Sequence, residues 1–188
     1  MASQKGIEKW KQKKWFSVKA PGIFNNKVIC EIPANDEKSV AGRKIKVAMS
    51  QMTGDPSHAF TNLTFVVKEV KGNNAETGIS EVALLQSYIR SLTRRGRSIA
   101  SAVVPVTTKD NAKMTVKLIA ITSMRTTNTK VKGIHKAMEE FTKSFFSDKE
   151  FGAAVQEIIS GKMQRELNGI LRDIVPMNRV EVKKLEVG

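Results

Sequence analysis

The sequence predicts an α+β fold, in which a curled or barrel-like mixed β-sheet is flanked by helices. Short apolar segments with a period of two recur between residues 28 and 123, which is typical of strands in a sheet that curls or closes. Apolar residues with a period of 3.6 follow from residue 134 to residue 175, which indicates helices. With 188 residues, 40% of them hydrophobic, the chain is long enough to bury a sizeable core.

Residues 1–14 are predicted to form a flexible basic arm, because they are rich in lysine and lack apolar periodicity. We expect the remaining residues, 15–188, to form a single α+β domain. This domain is expected to be β-rich over 15–125 with one helix near 84–95, helical over 134–175, and to end with a strand near 178–186.

Alternating apolar residues, bounded by turn residues, define the predicted strands. Val28–Ile32 is a short strand that Pro33 closes, because proline lacks a backbone donor. In the next strand, Ile45 and Val47 alternate with lysines, which gives the strand a cationic outer face. The other predicted strands cover 63–67 and a hairpin of 98–108 and 114–123 around a turn at 109–111.

Four helices are expected from apolar residues that repeat with the helical period. In the first, near 84–95, five apolar residues share one face, and Arg90, Arg94 and Arg97 project from the opposite face. The others are expected to begin near Ile134, after Ser147-Asp148 and near Met163, and the last ends before Pro176.

The basic residues are concentrated in a few segments. The chain carries a formal net charge of +14, from 32 Lys and Arg against 18 Asp and Glu. Half of the basic residues but only one acid lie in 1–19, 90–97 and 111–138, whereas 139–188 has a net charge of −1. A single basic run is typically a solvated face, but such a face mixes both signs to limit repulsion. Three nearly acid-free segments instead favour a surface that binds a polyanion, most commonly nucleic acid.

The composition also argues against several classes of protein. No stretch approaches 18 consecutive apolar residues, so we expect no transmembrane helix. No apolar segment follows the lysine-rich N-terminus, so a secretory signal is not expected. The one cysteine, Cys30, cannot form an internal disulfide, which fits a buried, inert thiol in a reducing cytoplasm. We therefore expect a cytoplasmic protein without a membrane partner.

No pattern typical of a catalytic or metal site is present. The two histidines, His58 and His135, are not near a cysteine at metal-ligand spacing. Gly161-Lys162 is similar to the end of a phosphate-binding loop, but the first glycine of that motif is missing. Asp148 and Glu150 are better explained as charges that stabilise a helix N-terminus. We expect no enzyme activity, no cofactor and no metal.

The N-terminal segment runs Lys13-Lys14-Trp15-Phe16 and continues with Lys19-Ala20-Pro21 and Phe24. This pattern resembles the opening signature of a small-subunit ribosomal protein family shared by archaea and eukaryotes, whose eukaryotic members are also called v-fos transformation effector proteins. The resemblance covers about residues 13–186. Because the long C-terminal extension of the eukaryotic members is missing, the chain resembles an archaeal form. Later segments similar to the family are 106–110, the strand to Thr122, the stretch through Lys132 and Lys136, and 160–162, Pro176 and 180–182.

The resemblance implies a fold and a function. The fold is a curled mixed β-sheet or barrel-like core flanked by helices. The function is that of a structural constituent of the small ribosomal subunit, bound to small-subunit rRNA on the platform near the mRNA exit and to neighbouring small-subunit ribosomal proteins. The resemblance leaves direct contact with mRNA open.

Combined with the charge pattern, the resemblance predicts which residues contact RNA. Arginine can bind a phosphate with two hydrogen bonds or stack on a base. Trp15 or Phe16 could stack on an unpaired base, or could instead anchor the arm by burial. The predicted RNA-binding residues are Lys13, Lys14, Trp15, Lys19, Arg90, Arg94, Arg95, Arg97, Lys117, Arg125, Lys130, Lys132 and Lys136.

Two other classes of function stay open. A free RNA-binding regulatory protein would share the charge and the arm but would act outside the ribosome. An RNA-modifying enzyme would need an acid, a nucleophile or a cofactor loop, and none is evident in the sequence. A membrane-surface binder is disfavoured, because no helix pairs a lysine face with an exposed Trp or Phe face. The near-neutral segment 139–175 is expected to contact another protein rather than RNA.

Overall fold

The structure is a computed structural model that describes residues 13–188, so residues 1–12 of the predicted arm lie outside the described residues. The chain divides into two compact units, the first ending at Ser80 and the second beginning at Glu81. In chain order the strands and helices are β1 (Lys14–Lys19), β2 (Val28–Ala34), β3 (Lys44–Ala48), α1 (Met49–Thr53), β4 (Thr61–Lys71), β5 (Asn74–Leu84), α2 (Gln86–Leu92), β6 (Ile99–Thr107), β7 (Lys113–Thr122), α3 (Asn128–Ser147), α4 (Phe151–Ile159), α5 (Lys162–Arg172) and β8 (Met177–Val187).

The strands confirm the predicted α+β class. The eight strands of the described residues form a mixed sheet, because β1 pairs in parallel with β5 while the other characterised pairs are antiparallel. The sheet is not closed, so it is the open rather than the barrel-like form of the predicted core.

In the first unit, β1 pairs with β2 and β3 pairs with β4. One side of these strands packs into a core that contains Phe16, Val18, Ala34, Val40, Val67 and Ala75. Cys30 is half-buried rather than buried as expected, but it packs against this core, and burial raises the pKa of its thiol, so the thiolate is disfavoured. This agrees with the expectation of an unreactive cysteine.

Two strands of the first unit were not expected, and a third is longer than expected. β5 contains Ala75, Glu76 and Gly78, which are weak indicators of a strand, so its pairing with neighbouring strands decides its conformation. β2 continues through Pro33 to Ala34 instead of ending at the proline. Proline is tolerated there because β2 is an edge strand of the sheet. The other unexpected strand is β1.

In the second unit, the predicted hairpin is observed as β6 and β7, and β8 pairs with β7. Alternate residues of β6 are buried, and α3 packs against this strand. α5 packs against β8, α3 and α4, so the three helices cover the sheet with an apolar core. The largest buried side chains of this core include Leu118, Ile134, Met138, Phe146, Met163, Leu167 and Leu171.

The first helix of this unit is shorter than expected. Ile89 packs against Ile119 and Ile121 as its apolar face predicts, but α2 ends at Leu92. Thr93 has extended geometry and its hydroxyl donates to the carbonyl of Arg90 at 3.1 Å, which ends the helix. The expectation that Arg90, Arg94 and Arg97 share one helix face is therefore wrong, because Arg94, Arg95 and Arg97 lie in the loop that follows.

The helical region differs from the prediction in where α3 begins and in how α4 is capped. α3 starts at Asn128 rather than near Ile134, because its first turns are mostly exposed and so show no apolar period. At the N-terminus of α4, the backbone N–H of Phe151 donates to Asp110 Oδ2 at 3.1 Å. The capping carboxylate thus comes from the turn of the hairpin, whereas Asp148 belongs to the C-terminal end of α3 and Glu150 forms no side-chain cap.

Candidate RNA-binding surface

Two loops of the second unit, 93–98 and 123–127, are joined by hydrogen bonds around Ser98. The backbone N–H of Thr122 donates to the Ser98 carbonyl at 3.0 Å, and the N–H of Thr126 donates to Ser98 Oγ at 3.0 Å. Because Arg97 precedes Ser98 and Arg125 precedes Thr126, these bonds hold the two arginines in adjacent loops.

Seven basic residues surround this end of the β6–β7 hairpin. We call them the basic surface, and they are Arg90, Arg94, Arg95, Arg97, Arg125, Lys130 and Lys132. α2 packs against one face of the hairpin and α3 against the other, and the basic surface lies on these two helices and on the two loops. Six of the seven side chains are exposed and Arg97 is half-buried. Within residues 13–188 none of the seven forms an ion pair with an acid.

The N-terminus of α3 adds to the positive potential of the basic surface. Its first turn contains no acid, and Thr127 makes no side-chain cap. The partial positive charge of a helix N-terminus repels Lys130 and Lys132, which costs stability unless an anion is bound. Phosphate groups bind well at such a position, because the first backbone N–H groups of a helix have no partner within it.

Lys117 lies apart from the basic surface in a charge-balanced network on the sheet. Its Nζ is 3.0 Å from Glu186, whose other oxygen is 2.7 Å from Lys184. Lys184 is in turn 3.1 Å from Glu81, so two lysines face two glutamates. Hydrogen bonds from Lys184 and Lys117 lower the pKa of Glu186, which keeps this carboxylate ionised. The charge of Lys117 is therefore offset locally.

Lys136 follows the basic surface along α3 but has an acidic neighbour. Its Nζ lies 3.9 Å from Glu140, four residues later on the same helix face. Both side chains are exposed, so this pair contributes little to stability and could exchange for a phosphate.

The predicted residues of the first unit belong to β1 and the residue before it. Lys14 and Trp15 are exposed, Trp15 with 56% of its surface, whereas Phe16 is only 2% exposed. Of the two aromatic residues proposed for base stacking or anchoring, Phe16 is thus part of the core and Trp15 is free to stack. Lys13 and Lys19 are half-buried, and the carbonyl of Lys19 accepts a hydrogen bond from Thr77 Oγ1 at 2.7 Å.

One cluster of polar residues was missed because the segment 139–188 is nearly neutral. α5 places Gln164, Asn168 and Arg172 on one face, and this face borders a groove lined also by Arg179 of β8. The spacing of four residues between Gln164, Asn168 and Arg172 indicates that they share a face of a helix. The net charge of the whole segment 139–188 does not reveal such a local cluster.

The described residues contain no helix that is both long and apolar enough to cross a membrane. Nor do residues 13–188 bring together three His, Cys, Asp or Glu side chains that could hold a metal ion. What distinguishes the second unit is its set of exposed cations around the hairpin.

Comparison with known proteins identifies the family of the chain. The model of the ribosomal S3Ae family matches residues 1–188. Three archaeal relatives are each named small ribosomal subunit protein eS1. The chain is 34% identical to that of Methanothermobacter thermautotrophicus over 178 residues, covering 95% of this chain and 91% of the relative. It is 35% identical to that of Staphylothermus marinus (94% and 84% covered) and 30% identical to that of Haloarcula marismortui (98% and 86% covered).

These matches span nearly the whole of both chains, which confirms the family resemblance noted in the sequence. The chain belongs to the ribosomal S3Ae family.

Proposed function

We propose that this chain is a structural protein of the small ribosomal subunit and that it binds rRNA through the basic surface. The observation that carries the proposal is the set of seven cations around the hairpin end, none of which is paired with an acid in the described residues. The relatives' shared name, small ribosomal subunit protein eS1, supports the assignment of the chain to the small ribosomal subunit.

Binding by this surface is electrostatic and follows the backbone of folded RNA. Lysine and arginine side chains displace the counterions condensed on phosphates, which supplies affinity and makes it depend on salt. Arg94, Arg95 and Arg125 are exposed and can each bind a phosphate with two hydrogen bonds. The N-terminus of α3 adds backbone donors for a further phosphate. In β1, Trp15 offers a face for an unpaired base, next to the charge of Lys14.

Other partners follow from the same proposal. Residues 139–175 carry little net charge, so we assign them to contacts with neighbouring ribosomal proteins, except for the face of α5 that borders the groove with β8. The position on the platform near the mRNA exit, and any contact with mRNA there, rest on the family resemblance. A protein with this role acts in the cytoplasm as a scaffold and not as an enzyme.

Sedimentation of cell extract tests the assignment to the particle. At low salt the chain is expected to migrate with small ribosomal subunits, and it is expected to be released as the salt concentration rises, because its contacts are electrostatic. A protein found at the top of the gradient at low salt would instead be the free RNA-binding regulator that the sequence left open.

A further inference from the structure

The groove between α5 and β8 is lined by two residues, Gln164 and Asn168, that each have a buried side-chain oxygen without a partner. It has a volume of about 400 Å³, and its polar lining includes Gln164, Arg165, Asn168, Arg172, Arg179 and Glu181, together with Asn178. Oε1 of Gln164 and Oδ1 of Asn168 are both buried, and neither accepts a hydrogen bond within the described residues. The Gln164 amide is held in place, because its Nε2 donates to the carbonyl of Ile158 at 3.1 Å. A buried acceptor without a donor is unfavourable, so this groove is suited to a ligand that donates hydrogen bonds.

The groove is also positively charged. Three arginines line it against one carboxylate, that of Glu181. Arg179 Nε lies 3.5 Å from Glu181, so this carboxylate already forms an ion pair with an arginine. Arg165 donates to the carbonyl of Ser160 at 3.0 Å, so its guanidinium is fixed beside the start of α5. Arg172 is exposed and has no ion pair in the described residues, which leaves it available to an anion.

We propose that this groove binds one unpaired nucleotide of the RNA, with its base against Gln164 and Asn168 and its phosphate against Arg172. The inference rests on the proposed function and extends it to a site that reads a base. The amino group of adenine or cytosine carries two N–H donors, one for each of the two unpaired amide oxygens. Unpaired bases are the usual target of such contacts in RNA.

The position of the unpaired acceptors favours a base over an acidic peptide. A peptide docked against the edge of β8 would pair with backbone groups of that strand. The atoms without partners here are side-chain oxygens of α5, four residues apart and on one face. Uracil offers only one N–H donor, at N3, whereas the amino group of cytosine offers two, so a groove with two unpaired acceptors should prefer cytosine to uracil, although the two bases have similar size and stack similarly.

The test compares binding of labelled oligo(C) and oligo(U), each of about ten nucleotides, to the full chain by fluorescence anisotropy. Oligo(C) is expected to bind about fivefold or more tightly than oligo(U). The double variant Gln164→Met, Asn168→Leu is expected to remove this preference. Its matched control, Gln156→Met, alters an exposed glutamine on α4 outside the groove and is expected to keep it. Circular dichroism checks that each variant is folded.

Equal binding of the two probes by the unaltered chain would overturn the groove as a nucleotide site, and so would a double variant that retains the preference. If the double variant loses affinity for a glutamate peptide while it still prefers oligo(C), the occupant is an acidic peptide and the proposal is also wrong. Substitution of Arg94, Arg95 and Arg125 by alanine should lower the affinity for both probes by the same factor. Failure of that last result would contradict the proposed function and leave the cytosine preference as separate support for the groove.

Discussion

Replacement of Arg94, Arg95 and Arg125 by alanine is expected to weaken binding to small-subunit rRNA by about tenfold to a hundredfold at physiological salt. All three side chains are exposed and have no acidic partner in the described residues, so their contribution to folding is small. Each phosphate contact contributes about 0.7 to 0.9 to the slope of log K against log salt, so the slope should become shallower by about 2 to 3. Filter binding over a range of salt concentrations measures both quantities.

The control for this variant removes the same number of positive charges elsewhere. Lys38, Lys143 and Lys183 are exposed, lie outside the basic surface and have no ion pair in the part of the chain that the structure describes. Their replacement by alanine lowers the net charge equally but should change the slope by less than about 1. If both triple variants lose the same affinity, binding depends on total charge, and the basic surface has no special role.

The second large effect is expected from two adjacent aromatic residues of β1. Phe16→Ala should lower the free energy of unfolding by about 3–5 kcal/mol, because the ring is 2% exposed in the core of the first unit. Trp15→Ala should change that free energy by less than about 0.5 kcal/mol, because the indole is 56% exposed. Urea denaturation followed by circular dichroism compares the two.

The same pair separates packing from RNA recognition. Trp15→Ala should weaken binding of single-stranded RNA by about 1–3 kcal/mol if the indole stacks on a base. A Trp15→Phe variant keeps an aromatic face and should restore most of that affinity. Normal RNA affinity in Trp15→Ala would show that this residue has no stacking role, and a large loss of stability would show that it anchors the chain instead.

Local patterns were sufficient to predict much of the fold. The β6–β7 hairpin follows from two alternating apolar segments around a polar turn, and it is observed within one or two residues of its predicted ends. α4 and α5 likewise follow from their apolar stripes. β5 was not predicted, because Ala75, Glu76 and Gly78 acquire their strand conformation from neighbouring strands.

The sequence is sufficient to propose which residues form the candidate site, but not to predict how they are arranged in space. The acid-free segments identified all seven members of the basic surface. Their placement depends on where α2 ends and on hydrogen bonds between Ser98 and the residues Thr122 and Thr126, which no periodicity reveals. The pairing of Lys117 with Glu186 was equally hidden, because the two residues are 69 positions apart and meet only through the register of β7 and β8.

Ultraviolet crosslinking of native small subunits, followed by mass spectrometry of the peptides attached to RNA, tests most directly whether the basic surface contacts rRNA. Crosslinked peptides are expected from residues 90–98 and 123–132, the two segments that surround the hairpin end. Crosslinks confined to other parts of the chain, with none in these two segments, would contradict the account.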